Sequence, residues 1–258
     1  MTNILISDFL TGLFVFLRIA GVIFIAPVFG HSSIPVIAKI FLAIVIAYML
    51  MFLVKDFHFN QEQGFLLLAL TGAKELITGM IIGFAFNIAL WGIAFGGMLT
   101  GQETGFGVAA IFNPSVEFEN NIIGDFYYLI ALMVFLLING HHFIIQSIHS
   151  SLKLIPLGTY VIDGDVLREV VKYAGGIFVI AIKIAAPILV SFFLVHVAMG
   201  VISRMIPQMQ VFFVVLPLKM ILGLLLIASA APIIIYMIRN LLAAYQDGLS
   251  HVLSVMSR

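Results

Sequence analysis

YAGGIFVIAIKIAAPILVSFFLVHVAMGVIS, residues 173–203, carries one lysine and no carboxylate, and its length settles the solvent that this chain is built for. A bilayer core about 30 Å thick calls for about 20 mostly apolar residues per crossing helix. This run exceeds that requirement, and the rest of the chain matches it in character. Hydrophobic residues make up 63% of the 258 and charged residues 9%, with a mean hydropathy of +1.22. A soluble domain holds roughly 45–50% apolar residues. The composition is that of an integral membrane protein, and the expected fold class is all-α: a multi-pass membrane protein of kinked helical hairpins.

Working outward, six apolar runs stand out, at about 9–28, 40–54, 64–99, 126–148, 173–203 and 211–238, separated by polar, glycine or proline punctuation. The third is long enough to be either one helix or a hairpin. The first does not read as a signal peptide, because no base precedes it, Arg18 interrupts it and no small-residue cleavage site closes it. If all six runs cross, one side holds Lys55, Lys153, Arg168, Lys172, Arg239 and Arg258, and the other holds Lys39 and Arg204. That imbalance places both termini in the cytoplasm.

Charge excludes several functions. Twelve Lys and Arg balance twelve Asp and Glu without a basic stripe, so no nucleic-acid partner is expected. The chain has no cysteine, which removes disulfides and thiolate metal sites. The segment GQETGFGVAAIFNPSVEFENN, 101–121, is glycine-rich like a phosphate loop, yet it lacks Gly-Lys-Ser/Thr, and no Lys or Arg lies between Lys74 and Lys153. His141, His142 and His149 have no nearby carboxylate to complete a metal set and read as hydrogen-bonded interfacial histidines. The DGD at 163–165 lacks the further acidic ligands of a calcium loop, and Asp165 reads as the N-cap of a short helix running to Lys172. Scattered serines form no GxSxG and no HExxH occurs, so no enzyme activity, cofactor or metal is expected.

Other residues fit a lipid-bathed bundle poorly. Arg18, Lys74 with Glu75, Lys183 and Lys219 lie in or beside apolar runs, where a central charge costs about 2.5–3.5 kcal/mol. Together with Arg204 they read as buried charges or subunit contacts. Pro187, Pro217 and Pro232 each remove a helix hydrogen bond. Broken, charged helices point to protein or water around them, not lipid. Gly79 and Gly83 stand four apart, as do Gly97, Gly101 and Gly105, so on a helix each set leaves a bare strip where a second backbone approaches.

Four blocks resemble the FliR family, the flagellar biosynthetic proteins of the type III export gate. They are RIAGVIFIAPVFGHSSIP at 18–35, GQETGFGVAAIFNP at 101–114, FLLINGHHFIIQSIHSSLKLIPLG at 135–158 and MGVISRMIPQMQVFFVVLPLKMILGL at 199–224, in the family's order and spacing. The resemblance implies a subunit that forms a secretion pore with FliP and FliQ, close to FlhB and FlhA, in the bacterial inner membrane at the flagellar basal body. Its cargo would be unfolded flagellar proteins. The fold would resemble a FliP-like portion, about 1–172, fused to a FliQ-like portion, about 173–258. The family's pore plug, carried over residue by residue, falls on Gly105, Phe106, Gly107, Val108, Phe112, Asn113 and Pro114. Glu117 and Glu119 follow with no assigned role. Two other readings stand beside this one: an injectisome export-gate subunit, and a stand-alone multi-pass transporter or channel.

Overall fold

The structure, a computed structural model, describes residues 2–52, 54, 65–106, 121–159, 164–205 and 211–256. Among these the regular elements are all α-helices: α1 (Thr2–Ile25), α2 (Val36–Met51), α3 (Phe65–Glu103), α4 (Ile122–Leu137), α5 (Gly140–Leu154), α6 (Gly164–Met205) and α7 (Val211–Met256). The all-α, multi-pass membrane architecture expected from composition holds.

The count of crossings is corrected. Four helices are long and apolar enough to span, in α1, α3, α6 and α7, and a fifth span exists only if α4 and α5 are taken as one. The run at 40–54 belongs to the 16-residue α2, whose length of about 24 Å falls short of a bilayer core of about 30 Å. The run at 126–148 is broken between Ile138 and Gly140, where Asn139 takes a left-handed conformation with φ 59°. Six helices of spanning length are thus not found among the described residues, and the count of bases on two sides loses its premise. The third run, in contrast, is one continuous helix of 39 residues. Asp165 does not cap a separate short helix, because α6 starts at Gly164 and continues to Met205.

Two compact units divide the chain, and both are discontinuous in sequence. One comprises residues 1–88, 139–174 and 244–258, and the other comprises 89–138 and 175–243.

The first unit is organised by rows at helical spacing. On α1, Phe14, Arg18 and Val22 form one buried row, continued by Ala26 just past the helix end, and Val15, Ile19 and Ile23 form a second. On α2 the buried row is Lys39, Ala43 and Ala47, while larger apolar residues such as Ile37, Phe41 and Tyr48 face outward. Short side chains let α2 lie against α1. From α3 come Glu75, Thr78, Ile82 and Phe86, and from α5 come Ile144, Ile148 and Leu152. The Phe86 and Phe143 rings meet edge to face at 5.7 Å.

The second unit is built on the far part of α3. Ile180, Ile184, Ile188 and Phe192 form a buried row on α6, and Ile234, Ile238 and Leu242 one on α7. From α4, Tyr127, Ala131 and Val134 face inward. Glycines set the spacing here too. A β-carbon at Gly92 would lie 2.9 Å from Ile180 Cβ, and one at Gly96 would lie 2.8 Å from the Ala181 carbonyl oxygen.

Candidate functional site

Helix ends are where an apolar environment is hardest on a backbone, because the last carbonyls have no donor in their own helix and no water nearby. In the first unit three such places are met by side chains from elsewhere in the chain. Asn87 Nδ2 donates to the carbonyl of Ile25, the last residue of α1. Lys39 Nζ donates to Gly30 O at 2.8 Å in the turn after α1 and lies 5.9 Å from the centroid of the Phe24 ring. Arg18 serves the end of α5.

The Arg18 cluster is the most buried charge arrangement described. Arg18 and Glu75 side chains are both 0% exposed, with Nε 2.5 Å from Glu75 Oε2. Arg18 Nη1 donates to Ser151 O, in the final turn of α5, at 3.0 Å and to Ile155 O, at its C-cap, at 2.9 Å. Glu75 Oε1 accepts from Gly158 N at 2.8 Å, where Gly158 has φ 77°. One guanidinium and one carboxylate thus join α1, α3, the end of α5 and the turn after it. Among the described residues Arg18 Nη2 has no hydrogen-bond partner.

Reading Lys74 with Glu75 as one feature is corrected by this geometry. Neighbours on a helix point about 100° apart, so Glu75 enters the core while Lys74 stays half-buried. Lys183 and Arg204 are exposed, and Lys219 is half-buried. Lys183 stands among exposed Phe178, Val179 and Ile182 on α6. Pro187 has no N–H, which leaves the Lys183 carbonyl without its helix donor.

The glycines fall at helix crossings. A β-carbon at Gly79 would strike the Arg18 carbonyl oxygen, and one at Gly21 the Leu76 carbonyl oxygen, so the α1 and α3 backbones touch there. At Gly83 the nearest atom would be Val22 O at 2.9 Å. Gly97 abuts Ile123 O at 2.7 Å and Gly124 Cα at 2.9 Å. Gly101 abuts the Asn121 side chain. Gly105 does not continue the strip: its φ of 85° ends α3, with Gly105 N donating to Gln102 O at 3.2 Å. Spacing alone did not bring out Gly21, Gly92, Gly96 or Gly223, whose added β-carbon would strike Thr104 Cγ2.

These contacts make a testable contrast. Gly79→Ala should destabilise the solubilised protein by about 1–3 kcal/mol, since the obstacle is backbone and cannot rotate away. Gly200→Ala, with nothing within 4 Å of its new β-carbon, should be neutral or stabilising by up to about 1 kcal/mol. Equal unfolding midpoints for the two variants would refute the close crossing.

Of the plug residues, Gly105 is buried and Phe106 half-buried. Gly107, Val108, Phe112, Asn113 and Pro114 lie outside the described residues, as do Glu117 and Glu119. Beside Gly105, Glu103 Oε2 lies 3.7 Å from His196 Nε2 of α6, both partly exposed. The rings of His141 and His142 lie 4.2 Å apart with their planes tilted by 39°. No group of three or more metal-ligating side chains occurs among the described residues.

Four apolar spanning helices, backbone contacts at glycines and helix ends capped from within define a multi-pass α-helical membrane protein. Its sequence matches the bacterial export proteins, family 1, over residues 9–245, and the chain belongs to that family. It is 27% identical to the flagellar biosynthetic protein FliR of Bacillus subtilis strain 168 over 258 residues, 98% of each chain. FliR of Escherichia coli K12 is 23% identical over 239 residues, covering 92% of this chain and 90% of the relative. The secretion system apparatus protein SsaT of Salmonella typhimurium LT2 is 28% identical over 159 residues, 61% of each chain.

Proposed function

We propose that this protein is a structural and gating subunit of the flagellar type III export gate, forming the secretion pore with FliP and FliQ for unfolded flagellar proteins. The observation that carries the reading is the end-to-end match to FliR-named relatives, 98% of both chains in one of them. The similarity to SsaT favours a second reading, a gate subunit of another secretion system, but it covers only 61% of each chain. The reading is non-catalytic and calls for no cofactor. FlhB and FlhA would be neighbours in the bacterial inner membrane. Residues of about 1–172 would take the FliP-like part and about 173–258 the FliQ-like part. Gly105 to Phe106, with Gly107, Val108, Phe112, Asn113 and Pro114, would belong to the plug.

Exposed Lys183 and Arg204 and half-buried Lys219 support partner-facing roles, because in lipid each charge would cost about 2.5–3.5 kcal/mol. Affinity-tagged protein expressed with FliP and FliQ should carry both through purification. The Lys183→Leu, Lys219→Leu double variant should insert normally and recover less of each. Recovery of the wild type alone, as an active transporter, would overturn the proposal.

A further inference from the structure

The turn between α1 and α2 holds Val28 at φ 69°. A β-branched side chain is a genuine outlier in the left-handed region, and a residue that sits there is kept there by its surroundings. Two side chains from other helices supply that grip, one on each side of Val28. Before it, Asn87 of α3 donates to Ile25 O, and after it, Lys39 of α2 donates to Gly30 O at 2.8 Å. Both are buried, at 5% and 7% exposure. Gly30 fits closely between them, because a β-carbon there would lie 2.8 Å from both the Ala26 and the Phe24 carbonyl oxygens.

The two anchors hold different things. Asn87 ties the end of α1 to α3, whereas Lys39 ties α2 back on to the turn, its ammonium meeting one carbonyl and lying 5.9 Å from the Phe24 ring centroid. The apolar part of that docking is thin. Beside Lys39 the buried residues of α2 are Ala43 and Ala47, while Ile37, Phe41, Val45 and Met49 are exposed. In lipid, apolar burial does not drive helices together, since acyl chains are as apolar as the side chains they replace. At about 24 Å, α2 is also too short to be pinned at both faces of a bilayer. A hydrogen bond from a charged donor and a left-handed β-branched residue are of the same order in free energy, and here they act in opposite senses.

We propose that Lys39 is a latch and the turn at Val28 a loaded hinge, so that α2 is a strap that lies along α1 while the latch holds and swings away when it opens. The inference stands apart from the gating role above. A merely rigid turn would keep α2 in place without Lys39, and relieving Val28 would then change nothing.

The far end of α2 provides a reporter. A β-carbon at Gly12 of α1 would lie 4.0 Å from Met51 Sδ, and the chain has no cysteine. Gly12→Cys with Met51→Cys therefore gives two thiols that are brought together while α2 lies along α1. The test uses the full chain carrying this pair in liposomes of phosphatidylethanolamine and phosphatidylglycerol, with the rate of disulfide formation under mild oxidation as the readout. Adding Lys39→Met, which keeps the length and removes the charge, should slow that rate roughly fivefold or more, the scale of one charge-assisted hydrogen bond. Adding Val28→Gly as well should restore it to within about twofold of the parent pair, because glycine adopts left-handed backbone freely. In the chain without cysteines, Val28→Gly alone should raise the unfolding midpoint by about 3 °C in detergent.

A Lys39→Met pair that cross-links as fast as its parent overturns the latch. A rate that Val28→Gly does not restore, in a variant still helical by circular dichroism, overturns the loaded hinge. If Lys39→Met does not fold, rescue of folding by Val28→Gly supports the proposal and failure to rescue overturns it. A Val28→Gly midpoint at or below that of the wild type overturns it in every case.

Discussion

Arg18→Leu is expected to lower the unfolding midpoint of the solubilised protein by roughly 10 °C, because breaking a buried ion pair from one side costs on the order of 3–5 kcal/mol. Glu75 would be left with a buried charge and no base, since among the described residues its remaining hydrogen-bond partner is Gly158 N. The Ile155 carbonyl would lose its donor at the same stroke. Arg18→Leu combined with Glu75→Leu removes the charge but still orphans Ile155 O and Gly158 N. The double variant should therefore unfold between the single variant and the wild type. Glu75→Gln keeps an acceptor for Gly158 N and should be milder than Arg18→Leu. Circular dichroism melts in detergent provide the order, and an Arg18→Leu midpoint within two or so degrees of wild type would sink the cluster's structural role.

Deleting residues 106–114 is expected to leave the gate assembled and to raise its ion leak on the order of tenfold or more, as loss of an apolar constriction would. The geometry predicts that assembly survives. Asn121 lies against Gly101, and Gly105 is four residues further along, about 6 Å of helix rise. After the deletion six residues remain between Gly105 and Asn121, with a reach of roughly 20 Å. The helices are thus under no pull. Ion flux into liposomes, normalised to complex yield, decides the matter, and a tight assembled complex would refute the plug assignment.

Much of the fold was legible because apolar length and helical spacing are local properties. Phe14, Arg18, Val22 and Ala26 stand four apart, so the row that buries Arg18 was present in the sequence. Its partner was not, because Glu75 lies 57 residues away and no local pattern couples the two. Run length misled at 40–54, where an apolar stretch starts a turn before the hydropathy rises and still ends after 16 residues. The break in 126–148 carried a signal in Asn139–Gly140, a pair suited to left-handed backbone. Glycine spacing marked Gly79 and Gly83 but could not name Gly21 as the surface they meet. The charge of Lys39 was counted as belonging to a loop, whereas two neighbouring alanines on its helix face draw it inward to Gly30 O. The centre of the candidate plug rests on resemblance alone, since residues 107–120 lie outside those described.

The Arg18 cluster also sets a timetable for biosynthesis. Ile155, one of the two carbonyls that Arg18 Nη1 serves, is added 137 residues after Arg18 itself. At about 5–20 residues per second of translation, that is an interval of roughly 7–27 seconds. Throughout it, the emerging first helix carries a guanidinium whose final site does not yet exist, with Glu75 arriving partway. Each pause in translation before codon 155 lengthens that interval.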